Sequence, residues 1–241
     1  MANTKAALIT GGAKRIGKAI ALHLAQNGYD IALHYNTSKK EANLVKNEIN
    51  KLGRKCSLYK CNLLNTKELT SLIKEVKKSF PNLSLLINNA SIFEEEKFLK
   101  TDLSFLDRHL NVNFKAPFFL SQSFAKYCKK GQIINLLDAN VTRSKTKYFA
   151  YNLSKKMLFE FTKMSAVELA PQIRVNAIAP GPILSPPGKD LNYLQKKGLI
   201  VPLQKKGEVK NIIQCIRFLV ENNYVTGQCI FVDGGKHLVQ N

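Results

Sequence analysis

The sequence predicts a single α/β domain, a doubly wound parallel sheet with helices on both faces. Short apolar runs alternate with amphipathic stretches throughout the 241 residues, as parallel βαβ units require. The apolar runs are nearly continuous rather than alternating, as expected of strands covered on both sides. The length fits one domain, and no internal repeat or composition break divides it.

The elements follow in order. The run AALIT is the first strand, and Ile16–Asn27 has helical periodicity. Asp30–Tyr35 is the second strand. Ser38-Lys39-Lys40-Glu41 has capping-box spacing and opens a helix that Gly53 closes. Lys55–Cys61 is a strand, Lys67–Phe80 a helix stopped by Pro81, and Leu83–Asn88 a buried strand. One long helix is expected over Asp102–Lys129. Gln132–Leu137 is a strand, Tyr148–Leu169 a helix stopped by Pro171, and Ile173–Ile178 a strand. After the Pro/Gly-rich segment Pro180–Pro202 come a helix over Val209–Glu221 and a last strand, Gln228–Val232. Ligands of open parallel sheets bind at the C-terminal strand ends. The segment near 182–206 leaves such an end, so it reads as a substrate loop rather than a domain boundary.

Apolar residues make up 45 % of the chain and charged residues 22 %, which excludes disorder as the dominant state. No apolar run reaches the roughly 18 residues of a membrane helix. The first residues enter a strand directly, so no signal or transit peptide is expected. Five scattered cysteines (Cys56, Cys61, Cys128, Cys215 and Cys229) form no C-x-x-C pair. They read as reduced thiols of a cytoplasmic protein without a metal site. The net charge is +20, which raises nucleic acid or a membrane surface as partners. The chain has 31 Lys, 6 Arg and 22 Asn, with the lysines in scattered pairs and no nucleic-acid motif. That favours compositional drift over solvated faces, so neither partner is expected. The charge can still collect anionic ligands by long-range attraction.

The first strand runs into Thr10-Gly11-Gly12-Ala13-Lys14-Arg15-Ile16-Gly17. Glycines at a strand-to-helix turn let a pyrophosphate approach the helix N-terminus, the Rossmann-type arrangement. The second strand ends His34-Tyr35-Asn36-Thr37-Ser38-Lys39, with no acid to take ribose hydroxyls. Hydroxyls, amides and cations there, with Arg15 nearby, suit a 2′-phosphate, so NADPH is expected over NADH. A plain tight turn and a plain N-cap explain the same residues without a ligand.

In the stretch DANVTRSKTKYFAYNLSK, Tyr151 and Lys155 lie four apart on one helix face. An ordinary tyrosine is a poor acid at neutral pH, and a cation one turn away is expected to lower its pKa.

Four signals occur in order: the T-G-x-x-x-R-x-G turn, Asn88-Asn89-Ala90-Ser91, the Tyr151/Lys155 pair and Pro180-Gly181. Together they resemble the short-chain dehydrogenase/reductase family over the whole chain. Asp138 at the end of the fifth strand, where most members have serine, resembles the pteridine reductase and dihydromonapterin reductase subgroup. Arg15 and Phe93 strengthen that resemblance, as does the C-terminal DGGKHL.

The resemblance implies a catalytic set of Asp138, Tyr151, Lys155 and Asn113, the last through its backbone carbonyl and a water. It implies NADPH contacts from Gly11, Lys14, Arg15, Ile16, His34, Tyr35, Asn36, Thr37, Ser38, Asn62, Leu63, Asn89, Ala90, Ser91, Pro180, Gly181 and Ile183, besides Tyr151 and Lys155. It implies substrate contacts from Arg15, Ser91, Phe93, Asp138 and Tyr151, with a pterin stacked between nicotinamide and Phe93, and a homotetramer. Asn62 departs from the aspartate usual near the adenine, and Thr37 stands where some pteridine reductases have arginine.

An anion at position 138 repels a developing alkoxide but can accept hydrogen bonds from the amino and ring N–H groups of a pterin. The expected activity is therefore reduction of a pterin or folate C=N bond. The rivals are a 3-oxoacyl-carrier-protein or other carbonyl reductase, and an NADP-sensing or RNA-binding protein on a retired reductase fold.

Overall fold

A computed structural model of the chain describes residues 4–185 and 200–239. Its seven-stranded sheet runs in the order β3-β2-β1-β4-β5-β6-β7, with every neighbouring pair parallel. The strands are β1 (Ala6–Ile9), β2 (Asp30–Tyr35), β3 (Cys56–Lys60), β4 (Leu83–Asn88), β5 (Gly131–Leu136), β6 (Ile173–Pro180) and β7 (Cys229–Val232). The α-helices among the described residues are α1 (Arg15–Gln26), α2 (Lys39–Lys51), α3 (Thr66–Ser79), α4 (Leu103–Leu110), α5 (Ala116–Cys128), α6 (Phe149–Glu168) and α7 (Val209–Glu221).

Successive strand side chains point to opposite faces, and this explains the continuous apolar runs. In β1, Ala7 and Ile9 join a core with Ile20, Leu24, Val45, Ile49, Ile212 and Ile216, under α1, α2 and α7. Ala6 and Leu8 face a second core with Leu72, Ile73, Val76, Leu120 and Phe124, under α3 and α5. Strands β2 and β3 spread to one side of β1 and strands β4 to β7 to the other. The switch between β1 and β4 opens a crevice at their C-terminal ends.

Two local expectations are corrected. The long helix over Asp102–Lys129 is interrupted by a π-helical turn at Asn111–Lys115, where Ala116 N–H donates to the Asn111 carbonyl. Pro117 has no N–H to give the Asn113 carbonyl four residues earlier, and a wider turn accommodates that loss. The capping box at Ser38 does not form. The Ser38 side chain makes no cap bond, and the Glu41 carboxylate pairs with Lys14 instead, at 2.6 Å.

Candidate active site

A cavity of about 860 Å³ lies along the C-terminal strand ends. At one end is the turn between β1 and α1. Gly11 takes φ +63°, a conformation that favours glycine. A side chain at Gly17 would put its Cβ 2.2 Å from the Gly11 carbonyl oxygen, so the turn and α1 touch there. Asn89 Nδ2 donates to the carbonyls of Thr10 and Gly11 at 2.9 and 3.1 Å. The Thr10 hydroxyl accepts from the main-chain N–H groups of Asn89 and Ala90. The turns after β1 and β4 are thereby locked together. The N-cap of α1, Lys14, gives no side-chain cap. The first-turn N–H groups and the cations Lys14 and Arg15 therefore suit an anion. Arg15 also donates from Nη2 to the Ser185 carbonyl at 2.9 Å.

His34 is 1 % exposed. Its Nδ1 accepts from Gly11 N–H at 3.1 Å and its Nε2 lies 3.0 Å from the Cys61 carbonyl. With Nδ1 accepting, Nε2 must carry the proton and donate. Burial lowers the pKa of the imidazole, which keeps it neutral. His34 thus holds the glycine turn against β3 and has no nitrogen left for a ligand. Tyr35 is buried, Asn36 and Thr37 are exposed and Ser38 is half-buried, at the end of β2 beside the turn but outside the cavity wall. Asn62 Oδ1 accepts from Leu64 N–H. Leu63 and Ile183 are buried.

At the other end stand Asp138, Tyr151 and Lys155, on β5's C-terminal extension and α6. The Tyr151 hydroxyl donates to Asp138 Oδ2 at 3.1 Å, while Asp138 Oδ1 accepts from Asn140 N–H at 2.8 Å. Lys155 Nζ donates to the Leu136 carbonyl at 2.8 Å and lies 5.9 Å from the Tyr151 ring centre. Both side chains are nearly fully buried. Burial, then Asp138, raises the Tyr151 pKa well above its ordinary value. This corrects the expectation that the lysine lowers it: desolvation and a neighbouring anion both oppose the tyrosinate. Burial pulls Lys155 down to about 8, with Asp138 acting the other way.

Asn113, fully buried in the π turn, lies behind the cavity-lining Ser91 rather than in the wall itself. Its Oδ1 accepts from Ser91 Oγ and Ile92 N–H, and its Nδ2 donates to the Ile92 carbonyl and Ser154 Oγ. Phe93 stacks on Tyr148 at 4.2 Å and meets Tyr151 edge-on at 4.7 Å.

Gly11, Lys14, Arg15, Ile16, Asn89, Ala90, Ser91, Phe93, Asp138, Tyr151, Lys155, Pro180 and Gly181 all line the cavity. Sequence reasoning missed Tyr148, Asn140, Asn152, Arg143, Lys145, Lys147 and Lys236, which line it too. Cations at the alternate positions 143, 145 and 147 were the available signal for three of them.

The family model described as Enoyl-(Acyl carrier protein) reductase matches residues 11–237. A 3-oxoacyl-(acyl-carrier-protein) reductase FabG of Staphylococcus aureus (strain Mu50) is 33 % identical over 99 % of this chain and 100 % of its own. Among solved structures, the FolM alternative dihydrofolate reductase 1 from Brucella canis complexed with NADP has a TM-score of 0.94. It is 36 % identical, with 100 % of this chain and 97 % of that chain covered. A blue fluorescent protein from a metagenomic library in complex with NADPH has a TM-score of 0.88 at 29 % identity, covering 97 % and 98 %.

Proposed function

This chain belongs to the short-chain dehydrogenase/reductase family and is an NADP-dependent oxidoreductase, and from that premise we propose that it reduces a pterin or folate C=N bond, dihydro to tetrahydro form. The observation that carries this is the Asp138 carboxylate hydrogen-bonded to Tyr151. A ketone or thioester developing oxyanion charge meets an anion there. A 2-amino-4-oxopterin offers amino and ring N–H donors to the same oxygens. The structural likeness to the Brucella dihydrofolate reductase supports this reading. The likeness to the Staphylococcus 3-oxoacyl reductase supports the alternative, carbonyl reduction on an acyl carrier protein.

The residues present fit NADPH. The capless start of α1, with Gly11, Lys14, Arg15 and Ile16, takes its phosphates, and the Tyr35–Ser38 end of β2 takes the 2′-phosphate. Asn89, Ala90, Ser91, Pro180 and Gly181 flank its nicotinamide half, and Lys155 orients the ribose. Bound NADPH supplies the hydride. The chain's own part is positioning and proton supply. Tyr151 gives its hydroxyl proton to the ring nitrogen beside the reduced carbon. Contacts from substrate N–H groups to Asp138 spread the carboxylate charge and lower the cost of the tyrosinate. Asn113 holds the Ser91–Ile92 wall, and the Asn113 carbonyl, deprived of its Pro117 partner, can hold the water that restores the proton. Phe93 offers a face for the pterin, with the 182–206 segment as substrate loop; residues 186–199 of that segment lie outside those described. A single domain assembled as a homotetramer completes the reading.

The test is NADPH oxidation with dihydrobiopterin, dihydromonapterin, dihydrofolate and an acetoacetyl thioester, for the parent and Asp138→Ser. The parent should favour the pterins, and Asp138→Ser should lose pterin turnover by about 10–100-fold, the worth of a hydrogen bond to a charged group, while gaining thioester reduction. Thioester reduction exceeding pterin reduction in the parent overturns the reading.

A further inference from the structure

The cavity wall is strongly asymmetric in charge. Among the described residues, seven cations line it: Lys14, Arg15, Arg143, Lys145, Lys147, Lys155 and Lys236. Among the described residues, Asp138 is the one carboxylate doing so. Lys14 and Arg15 stand at the α1 end and Lys155 deep inside, where the coenzyme reading uses them. The other four form a separate group beyond Asp138.

Three hydrogen bonds hold that group in place. Asn152 Nδ2 donates to the carbonyls of Lys145 and Lys147 at 3.0 and 2.8 Å. This ties their loop to α6 at the residue after Tyr151. Arg143 Nη1 donates to the Lys236 carbonyl at 3.4 Å and brings the C-terminal turn alongside. Arg143, Lys145 and Lys236 are each partly buried. Among the described residues, Glu95 pairs with Lys147 at 3.1 Å, and buried Asp233 accepts from Gly235 and His237 N–H groups inside the turn. Among the described lining residues the cations outnumber the carboxylate, and a low-dielectric cleft of one sign concentrates ligands of the other.

We propose that the substrate carries a polyanionic tail, of carboxylates or phosphates, which lies along Arg143, Lys145, Lys147 and Lys236 while its ring sits at Asp138 and Tyr151. This rests on the pterin reading above. Because these cations line the cavity itself, they face a tail attached to the bound ring; a carrier protein docked outside has no need of them there.

The experiment compares kcat/KM by NADPH oxidation for neutral dihydrobiopterin, dihydrofolate with one or five γ-glutamyl residues, dihydroneopterin with and without a triphosphate, and an acetoacetyl carrier protein. The assays run at low and high NaCl, on the parent and on Lys145→Gln/Lys236→Gln. The polyanionic substrates should gain about tenfold or more over their less charged counterparts, mainly through KM. The gain should shrink with salt and in the double variant. A larger gain from the triphosphate assigns phosphate as the tail, and a larger gain from five glutamates assigns carboxylate. Equal kcat/KM across tails, or a gain indifferent to salt, overturns the tail site and leaves the pterin reading standing if dihydrobiopterin is turned over. Reduction of the carrier-protein substrate with no pterin turned over overturns both.

Discussion

Tyr151 gives its hydroxyl proton in a hydrogen bond to Asp138 Oδ2, 3.1 Å away, and not to the lysine side of the site. The pair is therefore an acid facing an anion, and the charge of Asp138 reaches both Tyr151 and Lys155 with opposite consequences. It makes Tyr151 harder to ionise and Lys155 easier to keep protonated.

The first prediction uses that sign. Lys155 is pulled down to about 8 by burial, and Asp138 opposes the fall. If the protonated lysine is the working form, kcat/KM for NADPH should be flat below that value and decline as pH rises through it. Asp138→Asn removes the opposing charge, so the decline should begin at lower pH. Lys155→Arg should remove the alkaline decline altogether, since arginine does not titrate there. The check is a pH profile of the three proteins; an alkaline limb that stays put in Asp138→Asn contradicts the assignment.

Tyr151→Phe removes the proton donor and keeps the ring that Phe93 meets edge-on. Turnover should fall by about 10²–10⁴-fold, with NADPH binding nearly intact by fluorescence titration. Retention of most activity would send the proton by another route.

Phe93 is 41 % exposed although it stacks on Tyr148, so part of its ring remains available to a ligand. Phe93→Leu keeps the apolar volume and loses the flat face. An aromatic stack is worth about 0.5–1.5 kcal/mol beyond area, so KM for a pterin should rise by up to roughly tenfold while kcat changes less. Steady-state kinetics separates the two.

His34→Leu leaves Gly11 N–H and the Cys61 carbonyl without the imidazole between them. Each orphaned buried group costs about 1–3 kcal/mol, so the denaturant midpoint should fall. The glycine turn should also bind NADPH more weakly, by about tenfold or more. Unchanged NADPH affinity would show that the turn keeps its shape without the ring.

Much of this was legible in the sequence because local signals and global fold agree. The apolar runs that marked strands became strands because each feeds two cores at once, as Ala7 with Ile9 and Ala6 with Leu8 do. What was not legible depended on distance through space. Pro117 was visible, but its effect on the helix register needed the neighbouring packing of Asn113 to select a π turn. The direction of the Tyr151 shift depends on burial and on Asp138, thirteen residues away in sequence. Ser38 and Glu41 had capping-box spacing, yet Lys14, at the N-cap of α1, captured the glutamate. The cations at 143, 145 and 147 were plain to read, but only the Asn152 contacts turn their loop toward the cavity.

The four bonds of the Asn113 side chain join the loop after β4, the π turn and α6. Amide hydrogen exchange should feel that clasp. Ile92 N–H lies outside any strand or helix, where exchange is ordinarily fast. Bound to Asn113 Oδ1 at 2.9 Å, it can exchange only when the clasp opens. The same opening frees the Ser154 hydroxyl of α6 from Asn113 Nδ2, so the loop and the helix carrying the proton donor should lose protection together, as one cooperative unit rather than two.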